Sequence, residues 1–241
     1  MRFFERFVVL TLLTALPLSA FAEQALPASF QAEFLLYTKG MKVARMERKY
    51  TRSPDGNYQY RSETETTGLV SLFRNDQILE VTNWILDGDI IKPLHYSYSH
   101  TRTKKERKVT IDFDWGKGQI TNSVNGESWN MPVKPGILDK LLYQFAIMRD
   151  LKQGNYPISY VIADGGKIKT YTFKLIGEER LETPLGEFHT LKLSRDKPNS
   201  KRKTTLWCAR ELGYLPVRVE NIESDGRVTT AIINAYNGIR Y

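Results

Sequence analysis

Six glycine-bearing turns punctuate this chain: Ser53-Pro54-Asp55-Gly56, Asp87-Gly88, Gly116-Lys117-Gly118, Asn125-Gly126, Asp164-Gly165-Gly166 and Asp225-Gly226. Asn-Gly and Asp-Gly supply the positive φ angles that tight hairpins need. Between the turns lie runs such as YQYRSETET, QILEVTNWIL, VTIDFDW, FHTLKLSR and VTTAIINAY, rich in Tyr, Thr, Val, Ile and Phe and alternating apolar with polar. Period-two alternation bounded by turn residues is the mark of half-buried strands. About a dozen such strands fit the chain, which predicts an all-β fold: a strongly curved antiparallel sheet or barrel. The last run is apolar enough to pair with the first, FQAEFLLYT.

One segment has a different period. PGILDKLLYQFAIMRDLKQG places Ile137, Leu138, Leu141, Leu142, Phe145, Ala146 and Met148 at helical spacing, with Pro135 before it and Gly154 to end it. This predicts one amphipathic helix from about residue 137 to 153. Such a stripe packs into the core or caps an open end of the sheet; a movable lid is the alternative.

The N-terminus carries basic Arg2 and Arg6, an apolar run from Phe7 to Leu18, and Ala20-Phe21-Ala22. That is the pattern of a secretory leader cleaved after Ala22, and the run is shorter than the roughly 20 residues a spanning helix needs. Residues 1–22 are therefore expected to be a signal peptide and residues 23–241 a single antiparallel β domain in the periplasm, with no integral membrane segment. The net charge of +8, outside the cytoplasm, points to lipid head groups or acidic glycans rather than nucleic acid. No nucleic-acid motif accompanies it. Cys208 is the sole cysteine, so an internal disulfide is excluded, and its strand-like surroundings read as a buried small hydrophobe.

Catalytic signatures are missing. His95 and His100 lie five residues apart, on opposite faces of a strand, and no H-E-x-x-H, paired Cys, acidic calcium loop or G-x-S-x-G elbow occurs. Asp112 and Asp114 share one strand face, where acids are usually solvated. No catalytic residue, metal or cofactor is expected.

The basic stretch HTRTKKERKVTIDFDW is more informative. Read as one strand, Lys105, Arg107, Val109, Ile111, Phe113 and Trp115 share a face, and Lys104, Glu106, Lys108, Thr110, Asp112 and Asp114 share the other. The first face is core, continued at one end by two cations. Upstream, Leu94, Tyr96, Tyr98 and His100 share a face. Lys105, Arg107, Tyr96 and Tyr98 are the candidate ligand-binding residues, at the mouth of an apolar interior. Strand-end charges that merely reach water are the plain alternative.

Three stretches carry a resemblance to a known family: FQAEFLLYTKGMKVARMERKY; PLHYSYSHTRTKKERKVTIDFDW; and ETPLGEFHTLKLSR with TTLWCARELGYLPVRVE. They resemble the bacterial envelope family catalogued as domain of unknown function 3108. The resemblance implies a secreted, mostly antiparallel β protein with no assigned reaction, cofactor or catalytic residue.

The expected function is a non-catalytic periplasmic binding or envelope-maintenance protein, holding a lipid or other anionic amphiphile inside the curved sheet. Two alternatives stand beside it: an interaction protein that docks an envelope partner without a small ligand, and a hydrolase of envelope polymers whose cleft would bring Asp112, Asp114 or a distant Glu together with a second acid or with His189 or His95. Ligand identity, closure of the sheet and oligomeric state are left open by the residues alone.

Overall fold

The computed structural model describes residues 26–68, 71, 76–102, 106–156, 158–197 and 200–238. The leader and Lys105 lie outside these residues. The chain runs through β1 (Phe30–Thr38), β2 (Met41–Arg52), β3 (Asn57–Thr66), β4 (Gln77–Asp87), β5 (Ile90–Thr101), β6 (Glu106–Asp114), β7 (Gln119–Val124) and β8 (Glu127–Pro132). It continues with β9 (Leu138–Asp139), helix α1 (Tyr143–Gln153), β10 (Ile158–Asp164), β11 (Lys167–Thr183), β12 (Gly186–Asp196), β13 (Lys203–Ala209), β14 (Leu215–Ile222) and β15 (Val228–Asn237).

These fifteen strands form one sheet rather than the dozen expected, in the order β8-β7-β6-β5-β4-β3-β2-β1-β15-β14-β13-β12-β11-β10-β9. Two meanders are joined in the middle by the first and last strands: Leu36 pairs with Ala231 and Tyr37 with Thr230, antiparallel. That pairing was expected. Its consequence is fusion of two half-sheets, not closure of a barrel, because the ladder still ends at β8 and β9. Of the six turns, Asn125-Gly126 adopts φ 52° and 92°, the two positive values a tight hairpin requires.

Register places the inward side chains in rows. One row runs Phe30, Tyr50, Tyr60, Thr82, Tyr96, Ile111, Asn122, Trp129 across β1 to β8. All but Trp129 are buried. The next row is Ala32, Arg48, Ser62, Glu80, Tyr98, Val109, and it turns polar in its middle. Val109, Ile111 and Phe113 are buried as the alternation required, while Asp112 and Lys108 face solvent. Leu94 departs from expectation. It is the extra residue of a bulge, since Asn83 pairs with His95 and Trp84 with Pro93, so Pro93 and Ile91 take the buried positions instead.

Helix α1 fills the space the curled sheet surrounds. The Phe145 ring lies 4.5 Å from Tyr50 and 4.7 Å from Tyr60 between centroids. Tyr143 meets Tyr171 and Phe173 of β11 at 5.5 and 5.7 Å. The helix therefore joins aromatic residues of both half-sheets and is a plug, not a loose lid.

Its start differs from the sequence expectation. Leu138–Asp139 is a strand pairing in parallel with β10, and the helix begins at Tyr143. The Asp139 carboxylate accepts the Leu141 and Leu142 amides, each at 2.8 Å, and holds residues 139–142 in a turn. Its end is as expected: Gly154 adopts φ 71°, and the Asn155 amide donates to the Asp150 carbonyl at 2.9 Å.

The sheet stays open, and side-chain hydrogen bonds tie its two halves together where no backbone ladder does. Thr82 Oγ1 of β4 donates to Asp139 Oδ2 at 2.5 Å. Trp129, at the end of the inward row on β8, donates from Nε1 to the Gly166 carbonyl at 3.3 Å. Gly166 has φ 79°, and a Cβ there would sit 1.9 Å from Trp129 Cζ2. Only glycine allows the indole to lie against this turn. Gly166→Ala is expected to lower stability by about 1–3 kcal/mol, the usual range for forced overpacking. It should also move tryptophan emission to the red, and the emission change should vanish in a Trp129→Phe background.

Candidate functional site

The seam between the two halves contains a cavity of about 160 Å³ lined by Tyr96, Tyr98, Arg107, Val109, Lys140, Asp164 and Gly165. β5 supplies the tyrosines, β6 supplies Arg107 and Val109, Lys140 follows β9, Asp164 ends β10 and Gly165 opens the β10–β11 turn. Three of the sequence-predicted site residues, Tyr96, Tyr98 and Arg107, thus meet in one cavity.

Arg107 is exposed and faces the turn; a Cβ on Gly165 would lie 3.8 Å from its Nη2. It forms no ion pair among the described residues. Lys140 Nζ stands 3.9 Å from Glu80 Oε1 and 5.5 Å from the centre of the Tyr98 ring. The Glu80 charge holds the Lys140 ammonium above its ordinary value. The acids are already engaged. Glu80 accepts the Tyr96 hydroxyl at 2.7 Å. Asp164 Oδ2 accepts Lys169 Nζ at 2.6 Å and the Tyr171 hydroxyl at 2.8 Å. Burial pushes the Asp164 carboxyl up, but the Lys169 and Tyr171 hydrogen bonds outweigh it and hold the group below its usual value. Burial, then the Glu80 charge, pushes the Tyr96 phenol far up, so it acts as a donor. The unpaired charge of the cavity is therefore the guanidinium fork of Arg107, beside a Lys140 ammonium whose charge already faces Glu80.

Asp139 stands directly behind Lys140. It is fully buried, and desolvation raises its carboxyl to about 6, against the opposing pull of Thr82 and the Leu142 and Leu141 amides. Lys140, Asp164 and Asp139 were not identified from the sequence. Asp139 and Lys140 sit where the apparent helix would show its polar face, so their period concealed them. Only the isolation of one acid within GILDKLL marks the position.

Among the described residues, the histidines, Asp112 and Asp114 do not line this cavity, and His95 and His189 contact different acids. His95 Nδ1 lies 2.6 Å from Asp112 Oδ1 on the solvent face. His100 is buried beside the Tyr98 hydroxyl, and His189 Nδ1 lies 2.7 Å from Glu211 Oε1 at the surface. Asp114 is used locally, accepting the Lys117 amide at 2.9 Å. Cys208 is wholly buried, and desolvation pushes its thiol far up. Arg218 lies over the Trp207 ring at 4.6 Å and bonds Glu220 at 3.2 Å. Among the described residues no cluster of three His, Cys, Asp or Glu side chains is placed to hold a metal. No helix among them is long and apolar enough to cross a membrane.

Comparison with known proteins adds a family and a fold. The family model described as Protein of unknown function (DUF3108) matches residues 33–232. A β-barrel-like protein of the domain of unknown function DUF1849 from Brucella abortus is 8% identical, covering 89% of this chain and 98% of its own, with a TM-score of 0.57. That likeness concerns the fold alone. MucB is 11% identical over 91% of this chain and 58% of its own, at a TM-score of 0.36. A search of curated proteins found no match to the sequence.

Proposed function

This chain belongs to the DUF3108 family, and we propose that it is a non-catalytic binding protein of the bacterial envelope that takes an anionic group into the seam cavity. The observation that carries this reading is the convergence of Arg107 and Lys140 on a space whose carboxylates are already hydrogen-bonded. Its export rests on the leader pattern of residues 1–22. The cavity of about 160 Å³ has room for a carboxylate or phosphate, not for a lipid tail. With α1 filling the interior, the apolar part of an amphiphile would stay outside the sheet.

The test is native mass spectrometry of the mature protein isolated from its own envelope fraction. An adduct on the wild type that disappears in the Arg107→Glu/Lys140→Glu variant, with circular dichroism unchanged, supports the reading. A bare mass from folded wild type, or an adduct retained by the variant, counts against it.

One observation favours partner docking as a second reading. β8 ends the sheet, and Glu127 to Asn130 are all exposed. Such an edge accepts an extended peptide from another chain. Crosslinks from Ser128 or Asn130 to one recurrent protein in the envelope would support it, and a bare edge strand would remove it.

A further inference from the structure

Sharing no residue with the seam cavity, three segments distant in sequence enclose a groove of about 460 Å³ lined by Tyr37, Lys39, Pro184, Val228, Thr230 and Ile232. Val228, Thr230 and Ile232 are alternate residues of β15 and share one face; Ala231 and Ile233, on the other, are buried in the core. Tyr37 stands opposite Thr230 across the β1–β15 ladder. Pro184 is presented by the β11–β12 turn, where the Leu185 amide donates to Thr183 Oγ1 at 3.2 Å and that hydroxyl donates to the Gly186 carbonyl at 2.8 Å. The walls are thus held by backbone pairing and a braced turn, and they are largely apolar. The volume falls within the range of about 300–1,000 Å³ typical of small-molecule sites.

Lys39 is the charged residue of this lining. It forms no ion pair among the described residues. Its backbone has φ 49°, the left-handed region that Gly or Asn occupies at lower cost in a tight turn. The two-residue Lys39-Gly40 turn between β1 and β2 sets this conformation and places Lys39 at the rim of the apolar groove. Apolar surface remains exposed here, with Val228 38% and the adjoining Met41 62% accessible.

We propose that this groove binds the acyl chain of a single-chain anionic amphiphile, with Lys39 meeting the head group. The proposal does not rest on the seam reading. The test is saturation binding of cis-parinaric acid and of its methyl ester, followed by fluorescence. The wild type is expected to bind both. Lys39→Asn should weaken the acid by about fivefold, the worth of one partly exposed ion pair, leave the ester unchanged, and keep or raise the thermal midpoint. Val228→Glu, at an already exposed position, should abolish binding of both probes; Thr230→Glu is the second blocking variant if it fails to fold. Arg107→Glu should change nothing. Absence of saturable binding to the wild type overturns the proposal, as does binding that survives both blocking variants. Loss of binding with Arg107→Glu instead would assign the chain to the seam and overturn it as well.

Discussion

Asp139→Ala is expected to lower the unfolding free energy by on the order of 4 kcal/mol at neutral pH. The Asp139 carboxyl is fully buried and accepts the amides of Leu141 and Leu142 and the hydroxyl of Thr82. Truncation leaves all three donors buried without partners, at about 1–3 kcal/mol each before relaxation. It also uncouples the start of α1 from β4, which is how the far end of the sheet is fastened. Asp139→Asn keeps an acceptor for the amides and separates geometry from charge. In the folded protein the Asp139 carboxyl titrates at about 6 instead of 3.8. The folded state therefore binds the proton more tightly than the unfolded chain. This contribution is fully present below about pH 4 and is lost as pH rises through 6. At about 1.36 kcal/mol per pH unit, the wild type should lose on the order of 2–3 kcal/mol relative to Asp139→Asn across that window. The Asp164 carboxyl, held low, works in the opposite direction in both proteins and cancels in the difference. Urea unfolding of the pair from pH 4 to 7 measures this, and a constant gap would contradict the assignment.

Phe145→Ala is expected to cost about 3–5 kcal/mol, the range for deleting a buried aromatic ring. The Phe145 side chain is 1% exposed, and its ring meets Phe30, Tyr50, Tyr60 and Trp84. If α1 is a plug, the loss appears in one cooperative transition, with tryptophan fluorescence and far-ultraviolet dichroism shifting together. An early dichroism change with an unmoved fluorescence transition would show a helix that detaches alone.

The strand pattern was legible because period-two alternation survives wherever one sheet face meets solvent. Val109, Ile111 and Phe113 declared the inward face of β6, and Arg107 continued it to the cavity. β13 was harder: six of its seven residues are buried, so it carries little alternation. The helix start was hidden because Ile137, Leu138, Leu141 and Leu142 fit a helical stripe although they belong to a strand and a turn. The seam was beyond a one-dimensional reading. Which residues face Arg107 depends on how far the sheet curls, and bulges such as those at Glu33/Phe34, Asn83/Trp84 and Leu175/Gly177 help set that curl. Lys140 and Asp164 reach the cavity only through this accumulated bend. Of the candidate cavity, the wall of Tyr96, Tyr98 and Arg107 on β5 and β6 was legible in the sequence, and the opposite wall follows from topology.

The most direct test of the central claim is a titration of the ¹⁵N-labelled mature protein with inorganic phosphate, followed by amide chemical shifts. The account predicts saturable shifts grouped at Tyr98, Arg107, Val109, Lys140 and Gly165, absent in the folded Arg107→Glu/Lys140→Glu variant. Shifts scattered over the surface lysines, or a grouped response that persists in that variant, would contradict an anion site at the seam.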